Sequence, residues 1–222
     1  MVKYKKQNTM NCPICTNRSI PKLKKKDVQY YECRGCKTLF SGQLDNNDMV
    51  GGGMEEERNI TQNEERVNRI YNLFDDNKHG INVLDFGCGH GMLVDDFKKF
   101  GFTCFGYDKY NLDFQYLPNQ PIFHAVTMVE VIEHLSHPFV EIDLINSILH
   151  KNGVLYIETS FTDVAKDENI PLEDFQYINP SIGHSTIFSH IGLDILMSLR
   201  GFERLHPINR HVRLYKKVKS LK

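Results

Sequence analysis

The chain has 222 residues with 27 Lys and Arg against 28 Asp and Glu, and this length allows one ordinary domain plus a small appendage. No apolar stretch approaches the roughly 20 residues of a membrane-spanning helix, and no apolar signal core follows the lysine-rich N-terminus. We therefore expect a cytoplasmic protein without a membrane partner. The charge is uneven, because residues 1–44 hold ten basic side chains against two acids, whereas residues 45–209 hold eleven bases against 26 acids.

The first element is a cysteine-rich segment within residues 1–44. Two C-x-x-C pairs begin at Cys12 and Cys33, and 17 residues separate them. In an intracellular chain this spacing favours a metal over disulfides. Four thiolates bind Zn²⁺ tetrahedrally with no open position, so the spacing predicts a structural zinc ribbon rather than a catalytic metal. A redox pair and buried core cysteines are the alternatives. The predicted ligands are Cys12, Cys15, Cys33 and Cys36.

A flexible linker is predicted at residues 45–54, which contain three consecutive glycines. From residue 54 to about residue 76, apolar side chains follow helical spacing, as at Val67, Ile70, Tyr71 and Phe74. We expect this helix to begin a second domain at residues 55–222 and to cover one face of its sheet, beside the loop at residues 87–91.

Strands and helices then alternate along the chain. Strands are predicted at residues 81–86, 102–107, 123–129 and 154–159, helices at 91–100, 138–149 and 189–200, and a closing hairpin at 202–206 and 212–217. This alternation predicts an α/β fold with a doubly wound, mostly parallel sheet. Only fourteen residues separate Asp108 from Phe123, too few for a further helix and strand, so residues 109–121 are expected to form a loop or a reduced strand.

A glycine loop follows the first of these strands. Residues 85–91 read DFGCGHG, so the spacing is G-x-G-x-G, tighter than the G-x-G-x-x-G of dinucleotide-binding folds. Ligands of such sheets bind beyond the carboxyl ends of the strands. We expect the loop backbone to pass beneath a ligand, with Asp85 ordering the turn.

Two further strand ends carry candidate ligand-binding residues. Asp108 follows the second strand, 23 residues after Asp85, and a carboxylate there can accept hydrogen bonds from both hydroxyls of a ribose. Residues 123–135, at the end of the third strand, read FHAVTMVEVIEHL. An unrelated acid at a strand end is the alternative for Asp108.

Together with residues 151–157, these motifs resemble class I S-adenosylmethionine-dependent methyltransferases of the ubiquinone-type, "methyltransferase 23"-like group, over residues 55–206. The resemblance implies a Rossmann-like sheet of the seven-stranded type and S-adenosylmethionine as cofactor. It departs from the family at His124, where the family carries Asp. Glu133 and His134 would shape the floor of the cofactor pocket, or would cap the following turn. The cofactor-binding residues that it implies are Asp85, Gly87, Cys88, Gly89, Asp108, Val129 and Glu130.

Methyl transfer from a sulfonium is a direct displacement, so the enzyme mainly aligns donor and acceptor and removes water. Residues 175–184 follow the fifth strand of the family pattern, which implies a position over the reacting methyl. His184 is our candidate base and Tyr177 our candidate substrate contact, and capping of backbone groups is the alternative for His184. His134, His137 and His190 are further base candidates. Ordinary surface or strand positions are expected for His79, His150, His206 and His211.

The resemblance therefore implies an S-adenosylmethionine-dependent methyltransferase with a small-molecule acceptor. The acceptor atom is O, C or N, and an acceptor linked to a phosphate or a nucleotide is included. A zinc ribbon ahead of such a domain resembles both sugar C-methyltransferases and ribosomal RNA guanine methyltransferases. RNA is thus an alternative acceptor, and a non-catalytic module that binds the cofactor and docks onto a partner is another. Phosphate contacts could come from Lys22, Lys24, Lys25 and Lys26.

Overall fold

The computed structural model describes residues 9–42, 58–74, 80–120, 122–205 and 209–221, so the predicted linker at residues 45–54 and the positions of His79 and His206 lie outside it. The strands of the described residues are β1 (Met10–Asn11), β2 (Arg18–Lys25), β3 (Val28–Cys33), β4 (Leu39–Ser41), β5 (Asn82–Phe86), β6 (Thr103–Tyr107), β7 (Phe123–Val129), β8 (Leu149–Glu158), β9 (Thr186–Ile187), β10 (Phe202–Arg204) and β11 (Val212–Lys217). The helices are α1 (Arg58–Tyr71), α2 (Met92–Lys99), α3 (Pro138–Ile148), α4 (Thr162–Asp167) and α5 (His190–Leu199). None of these helices combines the length and apolar character that crossing a bilayer requires.

The larger sheet has the strand order β10-β11-β8-β7-β5-β6. Strands β6, β5, β7 and β8 are parallel, whereas β11 is antiparallel to β8 and β10 is antiparallel to β11. This arrangement confirms the predicted α/β fold with a mostly parallel sheet. The sheet has six strands in the described part of the chain rather than the seven that the family resemblance implied. As the short connection predicted, residues 109–120 form only a loop with one 3₁₀ turn, Leu112–Phe114.

Two element boundaries differ from the sequence prediction by about five residues. Strand β8 begins at Leu149, directly after α3, although the sequence predicted a strand that starts at residue 154. Asn152 has a φ of 66°, a left-handed conformation that Asn tolerates, and the pairing of β7 with β8 shifts register between Phe123 and Ala125. The chain therefore bends within the sheet instead of leaving it. Helix α1 ends at Tyr71 rather than near residue 76, because turns replace the helix at residues 72–74.

Helices cover both faces of the larger sheet. Alternate strand residues belong to different apolar clusters, since Leu84 and Val126 pack with the cluster that includes α3 and α5, whereas Val83 and Ala125 pack with the cluster that includes α1 and α2. In α1 the predicted stripe is buried at Val67 and Ile70, consistent with the position predicted for this helix.

The N-terminal cysteine-rich segment forms a second, smaller sheet that is completed by the rest of the chain. Its order is β1-β2-β3-β4-β9, and β9 lies in the loop between α4 and α5. Strand β4 pairs with β9 through Leu39 opposite Ile187 and Phe40 opposite Thr186. Leu39 and Phe40 are at most 1 % exposed and belong to the same apolar cluster as α3 and α5, and burial of such side chains stabilises by about 1.5–3 kcal/mol each. The ribbon is thus packed firmly against the larger sheet.

Candidate active site

The glycine loop connects β5 to α2 in a conformation that requires glycine. Gly87 has a φ of +84°, and a Cβ on it would lie 2.3 Å from the Val131 side chain. The backbone N–H groups of Gly87 and Cys88 both donate to the carbonyl oxygen of Tyr107, at 2.6 and 3.1 Å. Gly89 also has a positive φ, but a Cβ there would meet no atom within 4 Å. The loop is therefore fixed from below and open above Gly89, where a ligand can lie against its backbone.

Asp85 lies beneath this loop, at the end of β5. Its side chain is 4 % exposed and accepts a hydrogen bond of 2.7 Å from the Thr127 hydroxyl. Burial raises the pKa of Asp85 to about 6, and the nearby charge of Asp108 contributes in the same direction. Asp85 thus joins the ends of β5 and β7 below the loop.

Asp108 follows β6 and contacts the glycine loop directly. Its Oδ2 accepts a hydrogen bond from the Gly89 N–H at 2.9 Å, and its Oδ1 accepts one from the Tyr110 N–H at 2.8 Å. Each carboxylate oxygen can accept more than one hydrogen bond, so hydroxyl groups of a ligand can still bind here. Asp113, in the loop that follows, is exposed, and its backbone N–H donates to the side chain of Asn111, which caps the Leu112–Phe114 turn.

The end of β7 contributes the third set of side chains. After Val129, Glu130 takes a positive φ of 54° and donates its N–H to the carbonyl oxygen of Glu158, and a 3₁₀ turn, Ile132–His134, follows. This sharp turn points Val129 and Glu130 into the same space as the glycine loop.

A single cavity of about 1010 Å³ lies along these strand ends. Its volume suits a cofactor together with a small acceptor. It is lined by all seven predicted cofactor residues, namely Asp85, Gly87, Cys88, Gly89, Asp108, Val129 and Glu130, and the part beside the glycine loop is called the cofactor end. It is also lined by His134, Tyr177 and His184, which form a second end, called the acceptor end, and Glu130 contacts this end through the Tyr177 hydroxyl. The structure therefore brings the predicted cofactor and catalytic residues together, whereas His137 and His190 are not among the residues that line the cavity.

Tyr177 lies at the centre of a hydrogen-bonded group at this second end. Its hydroxyl is 2.5 Å from Glu133 Oε1, 2.8 Å from Glu130 Oε2 and 2.9 Å from Thr159 Oγ1. Glu133 is fully buried, and burial together with both carboxylates raises the pKa of Tyr177 well above its ordinary value. The phenol therefore remains protonated and can donate to a carboxylate or to a bound acceptor.

The His184 ring lies beside Tyr177 with one nitrogen fixed by the backbone. Its Nδ1 is 2.6 Å from the carbonyl oxygen of Tyr177, and because a carbonyl only accepts, Nδ1 carries the proton. Burial lowers the pKa of His184, so the ring is neutral and Nε2 presents a lone pair. That Nε2 atom is 3.9 Å from Glu133 Oε1. The predicted base is thus in the correct protonation state to accept a proton.

Some residues of the cavity were missed by sequence analysis. Arg66 on α1 forms a two-point ion pair with Glu158 at the end of β8, with nitrogen–oxygen distances of 2.6 and 3.0 Å. Tyr156 donates to the same carboxylate, and this pair holds α1 over the cavity. The sequence signal that could have identified Arg66 was a basic residue next to the apolar stripe of α1. His211, expected at an ordinary position, in fact lines the cavity, because the segment before β11 crosses the end of β8.

The four ribbon cysteines converge on one point. Their sulfur atoms all lie within 4.8 Å of one another, with 3.7 Å between Cys12 and Cys36 and 3.3 Å between Cys15 and Cys33, and none is in a disulfide. Four thiolates at about 2.3 Å from a tetrahedral ion lie roughly 3.8 Å apart, so this set fits Zn²⁺. Backbone N–H groups also donate to the sulfurs of Cys12 and Cys33.

The ribbon also contacts the segment that carries Tyr177 and His184. Tyr30 on β3 donates a hydrogen bond of 2.6 Å to the carbonyl oxygen of His184. Lys25 Nζ donates to the carbonyl oxygen of Phe175 at 2.8 Å, and Lys26 Nζ donates to Ser181 Oγ at 2.9 Å. The ribbon therefore supports the acceptor end of the cavity from outside.

A doubly wound sheet with this loop and these acids at its strand ends defines a Rossmann-like protein that binds a nucleoside-containing ligand. The chain belongs to the methyltransferase domain family, whose model matches residues 55–206, and it is an S-adenosylmethionine-dependent methyltransferase. No curated protein is significantly similar to it in sequence.

Solved structures share the fold at low sequence identity. An S-adenosylmethionine-dependent methyltransferase from Methanosarcina mazei is 16 % identical, with a TM-score of 0.51 over 68 % of this chain and 97 % of that one. The 1,6-didemethyltoxoflavin-N1-methyltransferase of Burkholderia thailandensis, with bound 1,6-didemethyltoxoflavin and S-adenosylhomocysteine, is 12 % identical, with a TM-score of 0.50 over 90 % and 99 %. An amino pentose methyltransferase from Micromonospora echinaspora is 14 % identical, with a TM-score of 0.50 over 75 % and 93 %.

Proposed function

We propose that the protein transfers the methyl group of S-adenosylmethionine to a small-molecule acceptor. One observation carries this proposal: the same cavity is lined by the seven residues predicted to bind the cofactor and by Tyr177 and His184. A displacement reaction needs donor and acceptor in one enclosed space, in line and shielded from water.

At the cofactor end, different residues can bind the methionine part and the ribose of S-adenosylmethionine. The open backbone above Gly89 can support the methionine part, and the carboxylate of Asp108 can accept hydrogen bonds from the ribose hydroxyls. Val129 and Glu130 line the same wall. Asp85 is below the loop, where it orders the turn rather than binding the ligand directly.

At the acceptor end, Tyr177 and His184 can orient the acceptor and remove its proton. The neutral His184 ring has a free lone pair on Nε2, and a base in this position assists transfer to an oxygen or carbon acceptor. Two structural neighbours are named as methyltransferases of 1,6-didemethyltoxoflavin and of an amino pentose, which supports a small molecule here.

Radiolabelled methyl transfer into fractionated cell extract tests the proposal. We expect label from S-adenosyl-L-[methyl-³H]methionine in the low-molecular-mass fraction with the wild-type protein, and none with a variant that does not bind the cofactor. Label confined to RNA would favour the RNA alternative. No label, together with no heat on calorimetric titration with S-adenosylhomocysteine, would favour a docking module instead.

RNA stays a second candidate because the ribbon is basic. Of its four clustered lysines, however, Lys25 and Lys26 already bond to residues 175–181, and Lys22 and Lys24 form ion pairs with Glu32 and Asp27. Binding of unrelated RNA across a range of salt concentrations discriminates, because phosphate contacts weaken steeply as salt rises. Absence of binding at low salt would remove this candidate.

We further infer that the four cysteines bind one structural Zn²⁺ and that the protein is cytoplasmic. The sulfur distances fit a tetrahedral ion with no open position, and reduced thiolate sites are typical of the cell interior, where disulfides are rare. Metal analysis of purified protein should give one zinc per chain, and none after treatment with a thiol-modifying reagent. The division into residues 1–44 and 55–222 remains a prediction.

A further inference from the structure

The acceptor end of the cavity contains a cluster of metal-ligating side chains that methyl transfer does not by itself require. Ligand atoms of Glu133, His134 and His184 all lie within 4.8 Å of one another. Glu133 is 0 % and His184 is 5 % exposed, and His134 is partly exposed and lines the cavity. The set is separate from the four ribbon cysteines and contains no sulfur.

Both histidines present the same nitrogen to the same carboxylate oxygen. The Nε2 atoms of His134 and His184 are each 3.9 Å from Glu133 Oε1, and the two ring centroids are 4.7 Å apart. His184 donates its Nδ1–H to a backbone carbonyl, so its Nε2 is unprotonated. Histidines that bind metals characteristically donate the other ring N–H to a carbonyl or carboxylate in this way. The unprotonated Nε2 of His184 and the carboxylate of Glu133 therefore offer lone pairs to the same space, which a cation between them would satisfy.

Two carboxylates of the cluster, Glu130 and Glu133, compete for one donor. Tyr177 has one hydroxyl proton, yet its oxygen lies within hydrogen-bonding distance of both Glu130 and Glu133. Within the described residues, Glu133 meets basic side chains only in the two histidines, each with its Nε2 atom 3.9 Å away. Glu130 lines the open cavity.

We propose that Glu133, His134 and His184 bind a divalent first-row metal ion, with Glu130 as a fourth ligand. Imidazole and carboxylate ligands together suit ions such as Mn²⁺, Fe²⁺ and Co²⁺. Ligand atoms about 2.1 Å from an ion lie roughly 3.0–3.4 Å apart, so the observed 3.9 Å separations need to contract by less than about 1 Å. Glu130 lies outside this 4.8 Å group, but it shares the Tyr177 hydroxyl with Glu133, so a side-chain rotation would bring its carboxylate to the ion.

The metal also defines the class of acceptor, an extension that rests on the proposed methyl transfer. Four protein ligands leave two positions open on a six-coordinate ion, which suits an acceptor with two neighbouring oxygen atoms. A metal-bound hydroxyl has a lowered pKa and releases its proton to solvent. The resulting oxygen then bonds to the methyl carbon as the carbon–sulfur bond breaks, which leaves a neutral thioether. When the ion is bound, His184 is a metal ligand rather than a base, and the ion activates the acceptor hydroxyl.

Metal titration of the full-length, zinc-loaded protein tests the site without any acceptor or cofactor. We expect wild type to bind one Mn²⁺ per chain, detected by loss of the free-ion electron paramagnetic resonance signal, in addition to one zinc. Co²⁺ should bind the same site with the weak visible absorption of a six-coordinate nitrogen–oxygen complex. His134→Ala should weaken Mn²⁺ binding at least tenfold, as should Glu133→Gln. His150→Ala, in which a histidine outside the cluster is removed, is the matched control and should match wild type.

Failure of wild type to bind either ion, or equal affinity in His134→Ala and His150→Ala, would overturn the site. Zinc content reports on the ribbon in every sample, so a variant that has unfolded is recognised by loss of zinc. The readout is independent of methyl transfer. A protein that binds Mn²⁺ but never methylates contradicts the proposed function alone, whereas a protein that methylates without binding either ion contradicts only the metal site.

Discussion

The hydroxyl of Tyr30, in the four-cysteine ribbon, donates a 2.6 Å hydrogen bond to the backbone carbonyl of His184, at the acceptor end of the cavity. Tyr30 is fully buried, and burial raises its pKa to about 12, so the phenol is protonated at neutral pH and can donate. The ribbon and the active site are therefore connected by a buried polar contact between residues 154 positions apart.

Tyr30→Phe tests whether this contact positions the acceptor site. We expect a loss of about 1–2 kcal/mol in the free energy of unfolding, because a buried carbonyl loses its donor, and a fall in methyl transfer with unchanged zinc content. Urea unfolding and the tritium assay measure the two effects. Tyr31→Phe, on the same strand but half-buried, is the control and should have a smaller effect on both. Full activity in Tyr30→Phe would mean that the contact is only structural.

Asp108→Ala should abolish detectable cofactor binding. The substitution removes the predicted ribose acceptor and also releases the N–H groups of Gly89 and Tyr110, which loosens the loop. Asp108→Asn retains one side-chain oxygen and should show an intermediate affinity with a near-normal melting temperature. Calorimetric titration with S-adenosylhomocysteine measures both variants. Wild-type affinity in Asp108→Ala would refute the ribose role.

Gly89→Ala and Gly101→Ala form a matched pair. Both glycines have a positive φ, at 54° and 89°, and an added Cβ would meet no protein atom within 4 Å at either position. The cost in stability should therefore be similar, about 1 kcal/mol from backbone strain. Only Gly89 lines the cavity, so only Gly89→Ala should lose cofactor affinity. Equal affinity in the two variants would show that the cofactor does not lie against the loop.

Asp85 should make the stability of the protein depend on pH. Its folded pKa of about 6 lies above its ordinary value of 3.8, so its contribution to stability is fully present below about pH 4 and is lost as the pH rises through 6. The loss amounts to at most about 3 kcal/mol. Asp85→Asn cannot ionise and should lack this slope. Unfolding free energies of both proteins between pH 4 and pH 8 measure the difference, and parallel curves would contradict the raised pKa.

Cys33→Ser should release the ribbon metal and destabilise more than the ribbon. Because β4 pairs with β9 and Tyr30 bonds to His184, loosening of residues 9–42 removes support from residues 175–187. We expect loss of zinc, a lower melting temperature and reduced methyl transfer. Cys104→Ser, which removes a buried thiol from the larger sheet, should retain its zinc. One zinc per chain in Cys33→Ser would contradict the ligand set.

Local patterns predicted the α/β fold, and the seven residues that they indicated as cofactor-binding line one cavity. The alternation of strands and helices, the glycine loop and Asp108 each carry a signal within a few residues, because strand ends in a parallel sheet meet at one edge. The docking of the ribbon could not be predicted in this way. Strand β9 has only two residues, Thr186 and Ile187, and its pairing with Leu39 and Phe40 spans almost 150 positions. The meeting of Glu133, His134 and His184 is likewise a long-range contact.

The shared strand β9 has a practical consequence for anyone who wishes to isolate the catalytic part. A fragment that begins near residue 55 would expose the backbone edge of β9 together with the apolar surface that Leu39 and Phe40 normally cover. Uncovered sheet edges of this kind promote self-association. Such a truncation should be prone to aggregation, whereas adding the separately produced N-terminal peptide with zinc should improve its solubility.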